Sequence, residues 1–561
     1  MSDEAELPFD PNQAPSRLAH VVTCYAQDSQ TLARKYPTPF AHDRVEAFQA
    51  HTARWTCALE TLDPRQLQYG DRADLLLLKT RIAGDASNLQ REVRRFAQLE
   101  NWLPFAAELF ALESLRCREY VADARSSAAM LDSAAEIAES TVQRVTQSLD
   151  TCQSDNIPTV SLAASLVSAI ESLKGMLDDW RSFFEPFDPA FDWWMDRPYR
   201  RLDAALDAYV ALLRDRVLTT QGRKAIAGEP EGVAAIVDAL QRDQIPYSPE
   251  ELQAAAQREK AWCLEELRLA SREMGCGDNW RAALERVKER HAAPGGQPAL
   301  VRDLAREAVS FIEERNLVTI PHLARTGWRM EMLSAEAQLV SPFFLGGPLI
   351  MVSFPTKSME HQNKLMSLRG NNRHFARATV QHELIPGHHL QSYYESRFHP
   401  WRRLFHTPFW TEGWTMHWEM LLWELGFAQS PEDRIGMLFW RLHRCVRVAF
   451  SLGFQLGELS TEQCVEMLVA EVGHERANAE AEVRRSFGGE YDILYQCAYL
   501  IGGLQVHALY REMTAEHGMT PLAFHDAFLK ENCMPIATLR ALMLGEPFGT
   551  SGPAEWRFLP D

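Results

Sequence analysis

HELIPGHHLQ, residues 382–391, opens like the zinc-protease signature H-E-x-x-H but carries Pro386 where the second histidine belongs. Two histidines arrive late, at His388 and His389. On an ideal helix His388, six positions after His382, lies about 240° further round and points elsewhere. His389, seven positions on, is nearly in phase but about 10 Å along the axis. Pro386 has no N–H, and its ring clashes with the carbonyl four residues back, that of His382. Gly387 follows and tolerates backbone angles that other residues do not. A kink or bulge is therefore expected between the histidines. With two residues looped out, His388 could stand where the usual second histidine stands. Spacing alone leaves both His388 and His389 open.

A catalytic zinc site needs three nitrogen or oxygen ligands, an open position and a base. TEGWTMHWE, residues 411–419, places Glu412 24 residues after His388, a separation that suits a second helix packed beside the first. Glu412 and Glu419 are seven apart and share a helical face. One carboxylate could bind the metal and the other could orient a ligand from behind.

The bulk numbers narrow the alternatives. The chain has 561 residues, 46% apolar and 24% charged, the balance of a globular protein with ample length for a core. Its net charge is −18, and no Lys/Arg-rich run stands out, so neither a nucleic-acid partner nor a membrane is expected. The opening MSDEAELPFD has no basic or apolar leader pattern, and the run FFLGGPLIMVSF is too short and too broken to span a bilayer. A cytoplasmic location is the expectation. The ten cysteines are scattered with no C-x-x-C, which leaves histidine and carboxylate to hold any metal. No phosphate-binding loop, serine elbow or dinucleotide fingerprint occurs. His474 and His507 read as structural.

Helical periodicity dominates, as in DAALDAYVALLRDRVL, where Leu206, Tyr209, Val210, Leu213 and Val217 recur at helical spacing. Ser248, Ser430 and Thr520 each precede a proline in a cap-then-proline pattern, and Ser460 with Gln463 forms a capping box. Residues 75–180 read as long helices. Breaks fall at HAAPGGQPAL (291–300) and LGGPL (345–349), and the β-favouring runs NLVTIP and PLIMVSFP predict a small inserted sheet. A soft division near residue 300 separates a helical scaffold (1–300) from a region carrying the unusual residues (301–561), the two read as one intimately packed unit.

H-E-x-x-P-G-H-x-x-Q followed by E-G-W-x-x-x-x-E resembles the DUF885 family of bacterial proteins, itself similar in architecture to the helical gluzincin peptidases of the carboxypeptidase Taq and angiotensin-converting-enzyme groups. HELIPGHHLQ matches the first motif through Gln391, and EGWTMHWE matches the second at Glu412, Gly413, Trp414 and Glu419. AEAEVRR and YLIGGL look like the family's C-terminal segment. The resemblance implies a mainly α, gluzincin-like fold with a deep groove and a short edge strand, for which LIMVSF is the candidate. It implies one Zn2+ per chain on His382, His388 and Glu412, with Glu383 as general base. It implies an oxyanion-stabilising tyrosine, Tyr499 by motif and Tyr495 as close rival, and a substrate contact at Arg484 or Arg485. His389, Glu419 and Gln391 are the residues expected to support the ligands.

Two departures stand out: His417 occupies a position usually taken by tyrosine, and YDILYQCAY lacks the family's Pro-Gly. The expected activity is a zinc metallohydrolase, a peptidase acting on short peptides or small amides. The alternative is a metal-binding protein of the same fold without peptidase activity, or a hydrolase of non-peptide amides.

Overall fold

Several helix starts in this chain are set by short polar caps. In the computed structural model, which describes residues 16–39, 41–151, 156–218, 226, 228–335, 337–339, 341, 343–488, 491–549 and 552–560, the Ser248 side chain accepts from the Glu251 N–H, and Glu251 answers on the Ser248 N–H. Ser460 and Gln463 do the same, and Ser430 and Thr520 cap helices that begin with proline. The leader reading of residues 1–10 lies outside the described residues.

The elements run α1 (Arg17–Lys35), α2 (His42–Glu60), α3 (Tyr69–Glu100), α4 (Ala106–Cys117), α5 (Ala124–Thr151), α6 (Val160–Phe184), α7 (Pro189–Leu212), α8 (Val233–Arg242), α9 (Pro249–Glu273), α10 (Trp280–Lys288), α11 (Gln297–Glu314) and α12 (His322–Gly327). Strands β1 (Met330–Met332) and β2 (Ile350–Val352) follow. Then come α13 (His361–Gly370), α14 (Arg373–Glu383), α15 (His388–Glu395), α16 (Pro408–Glu424), α17 (Pro431–Gln455), α18 (Thr461–Met467), α19 (Arg476–Phe487), α20 (Tyr495–Arg511), α21 (Pro521–Glu531) and α22 (Ile536–Leu544). The fold is mainly α, with one two-stranded sheet among the described residues.

The chain divides into two compact units. One comprises residues 23–63 and 79–229 and has a core built largely from α5, α6 and α7. Its α6, unlike FFLGGPLIMVSF, is long and apolar enough to cross a membrane by length and composition. Ala163, Leu166, Ile170, Leu173, Leu177 and Trp180 are buried at three- and four-residue steps along α6 and join that core.

The other unit comprises residues 1–22, 64–78 and 230–561. The division read near residue 300 falls inside it, because α9 lies along α17. Its centre is α16, where Phe409, Trp410 and every residue from 412 to 422 are buried, so this helix has no solvent face over that length. Glycines set how closely its neighbours approach. A Cβ at Gly413 would stand 2.8 Å from the Gly502 carbonyl oxygen, and one at Gly502 would stand 2.8 Å from that of Phe409, so α16 and α20 meet backbone to backbone. Gly436 of α17 meets the His374 carbonyl of α14 in the same way.

The sheet differs from expectation. β2 pairs in parallel with β1, Met330 opposite Ile350, and β1 was not foreseen. On its other side the Met351 N–H donates to the Leu345 carbonyl at 2.8 Å, and the Leu345 N–H donates back at 3.0 Å. Both edges of β2 are thus occupied, and LIMVSF is not an edge strand; the outer segment is Phe344–Gly346. NLVTIP forms no strand. The Thr319 N–H and hydroxyl bind Asp526, and the Leu317 carbonyl accepts from His525 Nδ1, so side chains of α21 take the groups a ladder would need. Ile350 and Val352 pack with Val380 and Leu384 at the end of α14 and with Val301 and Leu304 of α11. Burial of each such side chain is worth about 1.5–3 kcal/mol, which anchors the sheet beside the turn that follows α14.

Gly502→Val is expected to destabilise this unit by about 3 kcal/mol, because two backbones already fill the space. Thermal denaturation followed by tryptophan fluorescence reads it; an unchanged midpoint would mean that α16 and α20 can separate freely.

Candidate metal centre

Asn372 caps α14 by accepting from the His374 and Phe375 N–H groups, and the helix is buried from His374 to His382, with Glu383 half-buried at its end. Leu384, at φ −104° and ψ −100°, leaves the helix; Ile385–Pro386 is a cis peptide, and α15 starts at His388. The break expected from Pro386 and Gly387 is therefore a four-residue turn between two helices. The Gly387 N–H donates to the Gln381 carbonyl at 3.0 Å. A Cβ on Gly387 would stand 1.8 Å from the His382 carbonyl oxygen, so only glycine lets the chain return this closely. Trp414 Nε1 donates to the Pro386 carbonyl at 2.7 Å and fastens the turn to α16.

This turn brings His388, not His389, to His382. The two rings stand 5.0 Å apart at 86°, and Glu412 Oε2 lies 3.5 Å from His382 Nε2 and 3.4 Å from His388 Nε2. The three ligand atoms lie within 4.8 Å of one another. Donors about 2.0–2.1 Å from a shared tetrahedral ion stand about 3.3–3.4 Å apart, so the spacing fits a metal. Glu412 Oε2 is also buried without a hydrogen bond, a lone pair left for something else to satisfy.

Each ligand is held from behind. His382 Nδ1 faces Glu419 Oε1 at 2.7 Å, and Arg444 donates to that oxygen at 3.2 Å. His388 Nδ1 faces Gln391 Oε1 at 3.0 Å. These acceptors place the protons on Nδ1 and leave the Nε2 lone pairs converging. The Tyr495 hydroxyl donates to Glu412 Oε1 at 2.6 Å and so fixes which oxygen faces the histidines.

The electrostatics agree. Burial pushes the Glu412 carboxyl up, but the charge of His388 and contacts with both histidines outweigh it and hold the group well below the usual carboxylate range. Burial pushes His388 down, and Glu412 overrides it, up to about 9. The cluster is built to hold positive charge at its centre. Burial raises the Glu383 carboxyl, with His382 and His388 acting against it.

His389 bonds none of the three ligands; its ring nitrogens face the carbonyls of Gly347 at 3.1 Å and Ala324 at 2.9 Å, so it ties α15 to α12 and to the loop before β2. Arg485 lines the cavity and Arg484 does not. His417 points away, with Nδ1 3.1 Å from His507 Nδ1 and Nε2 3.0 Å from His525 Nε2, so the departure from tyrosine lies outside the site. Tyr499 stacks on His382 at 6.1 Å between centroids, with Arg447 and Arg444 over its ring at 4.2 and 4.6 Å. Burial first, then Glu412, raises its hydroxyl pKa, while Arg485, Arg447 and Arg444 pull it back.

The cavity over the cluster measures about 410 Å³ and is walled by Phe343, Phe344 and Trp440. A Cβ on Gly346 would stand 2.5 Å from Glu383 Oε2, so this segment closes directly over the carboxylate. Arg444, Arg447, Tyr491 and Glu395 also line the cavity and were not read from the sequence. The available signal was HRCVRVAF, which puts two arginines three apart within an apolar helical run.

The profile of the family described as bacterial protein of unknown function (DUF885) matches residues 30–543, and the chain belongs to that family. Two solved structures share the fold. A putative lipoprotein of unknown function from Shewanella oneidensis is 16% identical, with a TM-score of 0.68 over 94% of this chain and 100% of that one. A putative lipoprotein from Colwellia psychrerythraea is 14% identical, with a TM-score of 0.57 over 94% and 98%. No curated protein matches the sequence.

Gly387→Ala is expected to cut zinc uptake at least about tenfold, since the turn must open and carry His388 away from Glu412. Equilibrium dialysis followed by elemental analysis checks this; undiminished uptake would mean that the close turn is not needed.

Proposed function

We propose that this DUF885 protein is a zinc-dependent hydrolase, a peptidase of the helical gluzincin type that cleaves short peptides. The observation that carries this reading is the convergence of His382, His388 and Glu412, with Glu412 Oε2 buried and unbonded at its centre. Two histidines and one carboxylate suit zinc among the common divalent ions and leave a fourth position open. When bound, zinc polarises the scissile carbonyl and brings the pKa of water down to about 7.

The chain's own residues do the rest. Glu383, next to His382 and raised in pKa by burial, takes the proton of the attacking water and delivers it to the leaving amine nitrogen. Gly346 lets the segment before β2 close over that carboxylate and keep bulk water from it. Tyr495 is committed to Glu412 and positions it. The Tyr499 hydroxyl forms no hydrogen bond among the described residues and is the group available to donate to the oxyanion, its ring held by Arg444 and Arg447.

Elemental analysis of protein reconstituted with zinc should find about one zinc per chain. Glu383→Gln should retain the metal and lose about 10²–10⁴-fold in peptide turnover. Tyr499→Phe should retain it and lose about 10²–10³-fold in kcat. Absence of metal after reconstitution, or full activity in Glu383→Gln, would overturn the proposal.

A further inference from the structure

Two charged groups on the cavity wall form no direct ion pair among the described residues. Arg485 of α19 donates from Nε to the Tyr491 hydroxyl at 2.7 Å, and its two terminal nitrogens form no hydrogen bond or ion pair among the described residues. The other two arginines on the wall are committed, Arg444 to Glu419 at 3.2 Å and Arg447 to Glu482 at 2.6 Å. Glu395 of α15 forms no ion pair among the described residues either; the thiol of Cys533 is its hydrogen-bonding neighbour. A charge held in a partly desolvated cavity without a direct ion-pair partner is costly, so two of opposite sign lining one cavity point to a ligand that answers both.

The two groups flank the ligand cluster. Glu395 lies seven residues after His388 on the same face of α15, about 10 Å along the axis, and the charges acting on it are Arg403 and His388. Arg485 neighbours Tyr499, Glu482, Tyr491 and Tyr495, with Glu482 already bonded to Arg447, and Tyr495 holds the outer oxygen of Glu412. Neighbour by neighbour, His388 meets Glu412 at 3.4 Å, Glu412 meets Tyr495 at 2.6 Å, and Tyr495 adjoins Arg485. The volume of about 410 Å³ is small for a ligand site, near the lower end of the roughly 300–1,000 Å³ range.

We infer that the cavity holds a short peptide by both ends, its free carboxylate on Arg485 and its free ammonium on Glu395, with the scissile bond over His382, His388 and Glu412 between them. This rests on the peptidase reading and narrows it to unblocked oligopeptides. An extended residue spans about 3.3–3.6 Å, so the stretch from Glu395 to His388 accommodates two or three residues before the bond. Longer peptides would carry one terminal charge past its partner.

The test is calorimetric titration of zinc-loaded Glu383→Gln protein with Ala-Phe-Ala, its N-acetyl form and its C-terminal amide. Each block is expected to raise Kd about 10–100-fold, the scale of one charge-assisted contact. Arg485→Gln should bind acid and amide alike, and Arg485→Lys should recover part of the difference. Equal binding of free and blocked peptides, as charged side-chain recognition would give, or binding of none of the three, overturns the inference. Turnover by the unmutated protein separates the two readings. End-dependent binding without any hydrolysis overturns the peptidase reading and leaves only the two-ended binding; equal hydrolysis of free and blocked peptides overturns the two-ended binding and leaves the peptidase reading.

Discussion

No side chain fits between residue 387 and the carbonyl of His382. That contact lets the chain leave α14, turn within four residues and return with His388 facing His382. The same device recurs around the site: Gly346 lies against Glu383, Gly413 against Gly502, and Gly436 against His374. Each brings a backbone to within contact distance of one that carries or borders a functional residue. The site's positions are thus set by main chain on main chain, which has far fewer ways to relax than packed side chains.

Charge is organised around that frame. Glu419, buried under α17, takes both His382 and Arg444, so the imidazole is oriented by a carboxylate that is itself compensated. Arg447 is matched by Glu482 and lies over the ring of Tyr499. Breaking one partner of such a set strands another in a poorly solvated interior, which is the physical reason these residues act as a group.

Much of the site is legible in HELIPGHHLQ and EGWTMHWE, since a proline–glycine break between histidines and two carboxylates on one helical face are local facts. The helix caps at Ser248, Ser430, Ser460 and Thr520 are local too. The choice between His388 and His389 is not, because phase across a turn depends on a tertiary contact with the α14 carbonyl. NLVTIP reads as a strand by propensity, yet α21 supplies competing hydrogen bonds that sequence neighbours do not reveal. Arg444, Arg447 and Glu395 are ordinary polar residues until packing encloses them. Arg484 and Arg485 are adjacent, and only the orientation of α19 separates the one on the cavity wall from the one that is not.

The histidine row behind α16 has a direction. Burial keeps His417 well below the usual imidazole range and His525 at about 3, so both rings are neutral and each gives one proton and takes one. The Leu317 carbonyl, 2.7 Å from His525 Nδ1, can only accept. His525 Nε2 must therefore accept from His417 Nε2, and His417 Nδ1 from His507 Nδ1. One backbone oxygen thus dictates the tautomers of His525 and His417, while His507 at the far end turns its Nε2 to Glu424 Oε1 at 3.2 Å. A tyrosine at position 417 also gives one proton and takes one, so histidine there preserves the row's polarity while spreading its two contacts over two atoms instead of one.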